Sequence, residues 1–557
     1  MLMVLQLIFI FIRISTCTEY TPTYVKLPLG TIEGYVGKTV KGREYNAFEG
    51  VPYAAPPVGD LRFQEPVPPK PWLGIWKART IFRCIQYYHY TPSGEDMVIG
   101  DEDCLYLNIY TPNLNTTKKM NVMVFIHGGA FMFNLGGVFG PQIFLDQDVV
   151  YVNLNYRLGP LGFLSTEDEL VPGNNGIRDQ VRALEWIQEN IEYFGGNPES
   201  VTIMGMSAGG ASVQTHYLIK QSKGLFAKGI SQSGTVLNPW VLMEDPLKKS
   251  QTVASHVGCP TENNEEMVNC LKTKPARQIV HTMKHFQPWL YNPFSPFALV
   301  VDSWAKDPIF PEHPLILLRK GLVKDLPWIT SYTSSEGLYP GSDFYFDEYL
   351  DYLDKRWNYI MPYILHYNDV VPASQLNQIG TKIRLEYLKN KEVGKRNFEK
   401  FIQILSDRLF LRGIETASRL QAAATESPVY CYYFNYRGVN SKSNFRTYSD
   451  VNLGVSHGDD TSYIFKTNMD TLSTENDRAM SDIMINLVIS FMETGKPNTS
   501  TEWKPLPRNL KGPWVQLRID GPEKIFIEEK TDIGNKKFWE NLPFAENENL
   551  FPAKDEL

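Results

Sequence analysis

A serine flanked by glycines is the first feature of this sequence that could perform covalent chemistry. Residues 205–209 read GMSAG, with Ser207 at the centre. Glycines two positions before and after a serine permit a sharp, strained strand-to-helix turn, because a side chain at either place would collide with the turn. The turn lifts the hydroxyl clear of the sheet, and the next helix points its first N–H groups at developing negative charge. We therefore predict that Ser207 is a nucleophile.

The pattern occurs a second time, as GVSHG at residues 454–458, so the pattern alone does not identify the nucleophile. Ser207 follows an apolar run and begins a helical pattern, whereas Ser456 follows a polar stretch and precedes no helical pattern. In this type of turn the serine is followed along the chain by an acid and then a histidine. The chain has no histidine beyond residue 457. We interpret Ser456 as the neighbour of a catalytic histidine.

The general base and its carboxylate are expected late in the chain. Of nine histidines, His366 and His457 lie well beyond the apolar run 326–332. His366 sits among aromatic residues, which favours a structural role, whereas His457 lies in a glycine-rich turn of the kind that presents catalytic side chains. For the acid, Glu336 follows the run 326–332 and fits best, with Asp302 as the main rival.

Backbone donors for an oxyanion are predicted beside the serine. Gly128 and Gly129 follow the apolar run 121–126, and two adjacent glycines free the backbone to turn N–H groups inward. The N–H of Ala208, next after the nucleophile, is a further donor. A nucleophile, a base, an acid and these donors together constitute the machinery of acyl transfer.

The elements that must position these residues follow an alternating pattern. Short apolar runs at 121–126, 149–154, 201–204, 326–332 and 428–434 are typical of buried strands. Residues 175–192 have apolar side chains three or four apart, which predicts an amphipathic helix. The alternation indicates an α/β fold with a large sheet, and residues 340–425 are rich in helix formers and predict a helical insertion over it.

Longer segments around these residues resemble the type-B carboxylesterases and cholinesterases. Residues 194–210 (FGGNPESVTIMGMSAGG) are similar to the active-serine signature of that family, and residues 102–110 (EDCLYLNIY) to its second signature. The segments NYRLG at 155–159 and GVSHGDD at 454–460 also match. The resemblance covers nearly the whole chain beyond residue 17, and it is most similar to insect carboxylesterases of the juvenile-hormone-esterase and venom-carboxylesterase kind.

This resemblance implies an α/β-hydrolase fold, a mostly parallel central sheet with helices on both faces and helical insertions. It implies a serine carboxylesterase that forms an acyl-enzyme on Ser207, with no metal and no cofactor, acting on a small-molecule ester. Residues 293–302 are similar to the segment that forms the wall of the acyl pocket in the family. The resemblance therefore implies that Phe294 and Phe297 narrow this pocket. The implied triad is Ser207, Glu336 and His457, and the implied oxyanion donors are Gly128, Gly129 and Ala208.

The chain ends predict a protein of the secretory pathway, and the net charge bears on its partners. The 557 residues carry a net charge of −7, which argues against nucleic acid as a partner. Residues 1–17 predict a cleaved signal peptide, and no later stretch predicts a transmembrane segment. Residues 18–557 are then expected to form a single domain, because one site draws on residues far apart in the chain. Residues 554–557 read KDEL, a string that a retrieval receptor of the endoplasmic reticulum binds, so retention in that lumen and secretion are both open.

Cysteines and sequons agree with that compartment. Cys84 with Cys104 and Cys259 with Cys270 are near pairs that could form disulfide bonds in an oxidising lumen, and the family resemblance implies both. Asn115 and Asn498 begin N-x-[ST] sequons and are candidates for glycosylation.

The sequence bears on three alternative functions. A non-catalytic adhesion or scaffold protein on the same fold would lack a triad member, whereas all three are present here. Cholinesterases have a tryptophan in the first disulfide loop, and residues 84–104 contain none. A juvenile hormone esterase proper usually has glutamine immediately before the serine, where this chain has Met206.

Overall fold

The computed structural model describes residues 21–90, 97–115 and 117–547 of the chain. The predicted signal peptide (1–17) and the tetrapeptide 554–557 lie outside the described residues, as does Thr116 of the first sequon. Among the described residues, none of the helices combines the length and the hydrophobicity that a bilayer crossing requires.

A large twisted sheet organises the described residues. Its strands follow the order β1-β2-β3-β7-β9-β8-β10-β11-β12-β13-β14-β15, with β4 beside β2, and β5 pairs with β6 in a separate ribbon. The strands are β1 (Pro22–Leu27), β2 (Gly30–Lys38), β3 (Glu44–Pro52), β4 (Ile75–Lys77), β5 (Gln86–Tyr87), β6 (Val98–Ile99), β7 (Tyr106–Thr111), β8 (Met120–Ile126), β9 (Val149–Leu154), β10 (Gly196–Met206), β11 (Lys228–Gln232), β12 (Trp328–Thr333), β13 (Val429–Phe434), β14 (Trp514–Gly521) and β15 (Lys524–Lys530).

The seven neighbouring strands from β9 to β14 run parallel. Antiparallel pairs flank them, formed by β7 with β9 on one side and by β14 with β15 on the other. Parallel strands need crossover connections, and helices supply them. The helices are α1 (Gly159–Phe163), α2 (Asn175–Asn190), α3 (Ala208–Leu218), α4 (Pro246–His256), α5 (Asn264–Thr273), α6 (Ala276–His281), α7 (Pro314–Arg319), α8 (Leu338–Gly341), α9 (Asp347–Lys355), α10 (Trp357–Ile364), α11 (Leu376–Leu388), α12 (Phe398–Ser406), α13 (Arg412–Ala424), α14 (Lys442–Thr447), α15 (Glu475–Thr494) and α16 (Lys536–Glu540).

Both faces of the sheet are covered, so its central strands are apolar throughout. Along β8, Val122 and Val124 belong to one hydrophobic cluster and Met123 and Phe125 to the other, as the two-residue period of a strand requires. Helices α2 and α3 and the insertion α9–α13 pack on the first face, and α15 packs on the second. This arrangement confirms the predicted α/β fold with a mostly parallel sheet.

The predicted elements are found with small shifts at their ends. The run 121–126 is β8, the run 149–154 is β9, and the helix expected at 175–192 is α2 with a 3-10 turn after it. The strand predicted at 201–204 is the longer strand β10, Gly196–Met206. Its first residue, Gly196, also pairs with β8, and the register of the pairing shifts between Gly196 and Val201.

Both predicted disulfide bonds are present, joining Cys84 to Cys104 and Cys259 to Cys270. The first ties the polypeptide before β5 to the start of β7, and the second links the end of α4 to α5. Each closes a short loop, which stabilises the fold by reducing the freedom of the unfolded chain.

Candidate active site

The carboxyl ends of the parallel strands bring the predicted site residues to one edge of the sheet. Gly128 follows β8, Ser207 follows β10 and Glu336 follows β12. His457 lies in the long connection after β13, and an isolated bridge between Ser335 and Ser456 draws this connection against the segment that carries Glu336. Parallel α/β sheets place ligand sites at this edge.

Ser207 occupies a strained turn between β10 and α3. Its φ of 62° and ψ of −123° are unfavourable for a residue with a side chain, and the turn is held by its N–H, which donates to the carbonyl of Gln232 at 2.7 Å. Both flanking glycines are required by close approach. A Cβ on Gly205 would lie 2.2 Å from the carbonyl oxygen of Gly209, and one on Gly209 would lie 2.0 Å from that of Ile126. This is the geometry that the GMSAG pattern predicts.

Glu336 and His457 form a buried pair. Glu336 Oε2 lies 2.5 Å from His457 Nδ1, and the glutamate is completely buried. Glu336 Oε1 accepts hydrogen bonds from the Ser233 hydroxyl at 2.6 Å and from the Thr333 N–H at 2.7 Å. Both carboxylate oxygens are therefore occupied, which fixes the carboxylate and, through it, the orientation of the imidazole.

The other ring nitrogen of His457 is available for chemistry. Nε2 is buried and has no hydrogen-bond partner within the described part of the chain. The ring is held on its faces by Tyr339 and Phe410, at centroid distances of 5.5 and 4.6 Å. A nitrogen that is buried, oriented and without a partner can accept a proton from a nearby hydroxyl.

Two sets of contacts join the serine turn to the histidine loop. Met206, which precedes Ser207, lies against Gly458, which follows His457, because a Cβ on that glycine would be 3.1 Å from Met206 Cε. Gln232 accepts the N–H of Ser207 with its carbonyl and donates from its side chain to Asp460 at 2.9 Å. The structure thus brings the turn that carries Ser207 against the loop that carries His457, which is itself paired with Glu336.

Two aspartates hold the histidine loop. Asp459 accepts the N–H of Ser456 at 2.8 Å, and Asp460 accepts the Tyr432 hydroxyl at 2.8 Å. Burial raises the pKa of Asp460 to about 6, since the charged carboxylate loses its hydration. Ser456 itself is buried within this turn.

Two of the predicted oxyanion donors, Gly128 and Ala208, adjoin Ser207, and Gly129 follows Gly128 in the chain. Gly128 packs directly on the turn, since a Cβ there would lie 2.3 Å from the carbonyl oxygen of Met206. Gly129 has a φ of +110°, which favours glycine, and Ala208 is the first residue of α3. Within the described residues, the N–H groups of Gly128, Gly129 and Ala208 donate to no other group. These N–H groups remain available to stabilise an oxyanion.

The rival residues are engaged elsewhere. Asp302 accepts the N–H groups of Ile309 and Phe310 at 3.0 and 2.7 Å and faces Arg178 at 3.5 Å, which is a structural arrangement. His366 packs edge-on against Phe294, and burial lowers its pKa to about 3. Neither forms a hydrogen bond with a member of the Ser207–His457–Glu336 set in the described structure.

The two phenylalanines expected in the pocket wall differ in position. Phe294 lies 5.2 Å from the ring of Tyr339, which in turn stacks on His457, so Phe294 is one ring removed from the base. Phe297 is fully buried against Phe286, at 5.4 Å. Both phenylalanines belong to the buried core, and Phe294 is linked to His457 through one ring whereas Phe297 packs on Phe286.

Sequence reasoning missed the residues that support the glutamate and the imidazole. Ser233 was detectable in principle because it directly follows β11, at the same sheet edge as the other site residues. Tyr339 and Phe410 carry no local signal, since their proximity to His457 depends on the packing of α8 and the insertion.

Comparison with known proteins agrees with this geometry. Residues 21–533 match the model of the carboxylesterase family. The chain belongs to that family. This carboxylesterase is 40% identical to venom carboxylesterase-6 of Apis mellifera over 96% of its own length and 97% of the relative's. It is 34% identical to a juvenile hormone esterase of Tribolium castaneum, over 91% and 88% of the two chains.

A solved structure matches the carboxylesterase over its whole fold. The crystal structure of juvenile hormone esterase from Manduca sexta, with OTFP covalently attached, superposes with a TM-score of 0.81 at 26% sequence identity. The match covers 93% of this chain and 99% of that one. The fold is therefore the α/β-hydrolase fold of the family, and the protein is a carboxylic ester hydrolase.

Proposed function

We propose that this carboxylesterase hydrolyses its ester in two steps through an acyl-enzyme on Ser207. The observation that carries the assignment is the buried Glu336–His457 pair beside the strained serine turn, with His457 Nε2 unpartnered among the described residues. In the first step His457 accepts the proton of the Ser207 hydroxyl as the oxygen attacks the carbonyl carbon. Glu336 keeps the imidazole in the required tautomer and stabilises its charged form.

The N–H groups of Gly128, Gly129 and Ala208 stabilise the tetrahedral oxyanion in this mechanism. Each such donor contributes about 2.7–4 kcal/mol to transition-state stabilisation in enzymes of this chemistry. His457 then gives its proton to the departing alcohol, and a water molecule repeats the cycle on the acyl-enzyme. No step needs a metal or a cofactor, because the chain's own groups carry every proton and charge.

The test is the Ser207→Ala variant assayed with 4-nitrophenyl acetate. We expect kcat to fall at least about 10⁴-fold while the thermal unfolding temperature stays close to that of the wild type. Labelling with an organophosphate, followed by peptide mass spectrometry, should place one adduct on Ser207 of the wild type. Undiminished turnover, or an adduct on another residue, would contradict the assignment, and absence of any activity and any adduct would favour the scaffold reading.

The substrate is proposed to be a small-molecule ester other than a choline ester. The first disulfide loop has no tryptophan to face a choline cation, and Phe294 lies one ring from His457, where it would limit the acyl chain. A juvenile hormone ester is the second candidate, supported by the relatives of that name, although Met206 stands where those enzymes usually have glutamine. A panel of esters of increasing acyl length, with a juvenile hormone included, separates the two.

The proposed site of action is the secretory pathway, in one domain spanning residues 18–557 after removal of residues 1–17. Two disulfide bonds support an oxidising compartment. Asn115 and Asn498 are both exposed, as glycan attachment requires. Expression in insect cells with and without Leu557, followed by assay of cells and medium, tests whether a retrieval receptor binds residues 554–557. Glycosidase treatment of the same samples tests the sequons.

A further inference from the structure

A lysine ammonium group lies against Gly458, the residue after the base, at the place where Gly458 also meets Met206, the residue before the nucleophile. The side chain of Lys442 reaches from α14 to Gly458, where a Cβ would lie 2.6 Å from Lys442 Nζ. The same Cβ position is 3.2 Å from the sulfur of Met206. Lys442 Nζ therefore lies at the point where the residue after His457 meets the residue before Ser207.

Within the described residues this ammonium group has no hydrogen-bond acceptor and no ion pair within 4 Å. The second cation on the same helix face behaves differently. Arg446, one turn further along α14, lies 2.7 Å from the carboxylate of Asp343 and packs on the rings of Tyr90 and Tyr339. Of these two cations, Arg446 has a carboxylate in direct contact, whereas Lys442 feels the charges of Asp459, Asp460 and Glu336 without a direct ion pair among the described residues.

The carboxylates near Lys442 have their oxygens engaged by other groups. Asp459 accepts the Ser441 hydroxyl and two backbone N–H groups, and Asp460 accepts Tyr432 and Gln232. Glu336 is saturated by His457 and its two other donors. Loss of hydration lowers the pKa of Lys442, which is the mark of a cation that the protein has only partly compensated. An ammonium group with three unused donors is prepared to bind an external oxygen anion.

The position of Lys442 selects one part of the substrate. In the proposed mechanism His457 protonates the departing alcohol, so the loop that carries His457 lies beside the alcohol part of the ester, whereas Phe294 approaches only through the ring of Tyr339. The oxyanion donors at Gly128 and Gly129 face the carbonyl oxygen instead. Lys442 touches the residue that follows His457, and it is therefore on the alcohol side.

We propose that Lys442 is a specificity-determining residue, whose ammonium group binds a carboxylate carried by the alcohol part of the ester. The preferred substrates are then esters of hydroxy acids or of phenols that bear a carboxylate. This inference rests on the proposed triad, because His457 defines which side of the pocket receives the alcohol.

The experiment compares three aryl acetates whose phenol carries a meta substituent of different charge: an anionic carboxylate, a neutral carboxamide or a cationic trimethylammonium group. Because the substituents also differ in size and in leaving-group effect, each ratio below is compared between enzyme variants. The ratios of kcat/KM for the charged esters to kcat/KM for the carboxamide are measured for each enzyme variant. These ratios cancel any change in the reactivity of Ser207 or His457, since all three esters use the same catalytic groups.

In the wild type we expect the carboxylate ester to be preferred over the trimethylammonium ester. Lys442→Met should lower the carboxylate-to-carboxamide ratio about tenfold, the effect of one charge-assisted hydrogen bond, mainly through KM. Lys442→Arg keeps the charge and should retain most of the ratio, whereas Lys442→Glu should favour the trimethylammonium ester. Lys223→Met is the matched control, because Lys223 is exposed and its loss changes the net charge equally.

An unchanged ratio in Lys442→Met, or the same decrease in Lys223→Met, would overturn the proposal. So would a wild type that hydrolyses the carboxamide ester but shows no preference for the carboxylate. Failure of the wild type to hydrolyse even the neutral ester would instead contradict the proposed triad, so the two failures are distinguishable.

Discussion

Replacing Glu336 by glutamine should change the protonation of His457 while leaving the shape of the site intact. Glu336 Oε1 accepts a hydroxyl and a backbone N–H, from Ser233 and Thr333. The N–H of Thr333 can only donate, so the amide oxygen of the glutamine must take the Oε1 position. The amide NH₂ group is then left to face His457 Nδ1, at the position now 2.5 Å from that nitrogen.

The consequence is the wrong tautomer. An NH₂ group donates to Nδ1, so the proton of the neutral imidazole moves to Nε2, which can no longer accept the proton of Ser207. The equivalent change from aspartate to asparagine in a serine protease lowers kcat about 10⁴-fold. We expect a loss of the same order for Glu336→Gln, about 5.5 kcal/mol in activation free energy, with KM changed less than about threefold.

The assay is steady-state hydrolysis of 4-nitrophenyl acetate, with thermal unfolding recorded for each variant. Asp302→Asn is the matched control, because Asp302 is also a fully buried carboxylate that accepts backbone N–H groups. This control should unfold at a lower temperature but keep kcat within about threefold. If Glu336→Gln retains kcat within about tenfold of the wild type, or if kcat of Asp302→Asn falls as far as kcat of Glu336→Gln, then Glu336 does not control the tautomer of His457.

Three further predictions follow from other parts of the structure. Gly128→Ala should lower kcat for the same ester by at least about 10²-fold with little change in KM, because the new methyl group would collide with the Met206 carbonyl and displace the N–H donors. An unchanged kcat would show that Gly128 is not part of the oxyanion site. Burial raises the pKa of Asp407 to about 7, so the ionisation of this carboxyl group destabilises the folded state as the pH rises from about 4 through 7. At pH 8 the Asp407→Asn variant should therefore unfold at a higher temperature than the wild type, by an equivalent of about 1–3 kcal/mol. The difference should vanish below pH 4, and thermal unfolding recorded across this pH range checks it. Replacing Cys259 and Cys270 together by serine should reduce the free energy of unfolding by up to about 3 kcal/mol without changing kcat, and a loss of activity in the folded variant would show that this loop acts on the site.

The sequence by itself determined the elements and the conformation of the turn at Ser207, because the signals involved are local. Short apolar runs predicted β8, β9 and β12 within a few residues, since a strand buried on both faces must be apolar along most of its length. The turn at Ser207 was predictable because only glycine fits where the backbone of one segment approaches another within van der Waals contact. The disulfide pairs were predictable because each joins cysteines that lie close together in the chain.

Only the tertiary structure decided which distant groups meet. From the sequence, Glu336 and Asp302 were both carboxylates after apolar runs; the packed sheet places the first 2.5 Å from His457 and gives the second to backbone N–H groups. Phe294 and Phe297 are equivalent in the sequence, yet Phe294 packs on the ring of Tyr339, which stacks on His457, and Phe297 packs on Phe286. No local pattern in the sequence singles out Lys442, because its role follows from contact with Gly458 at the place where the histidine loop meets the serine turn. Local patterns determine backbone conformation, whereas the distance between side chains hundreds of residues apart depends on strand order and loop packing, which no short segment encodes.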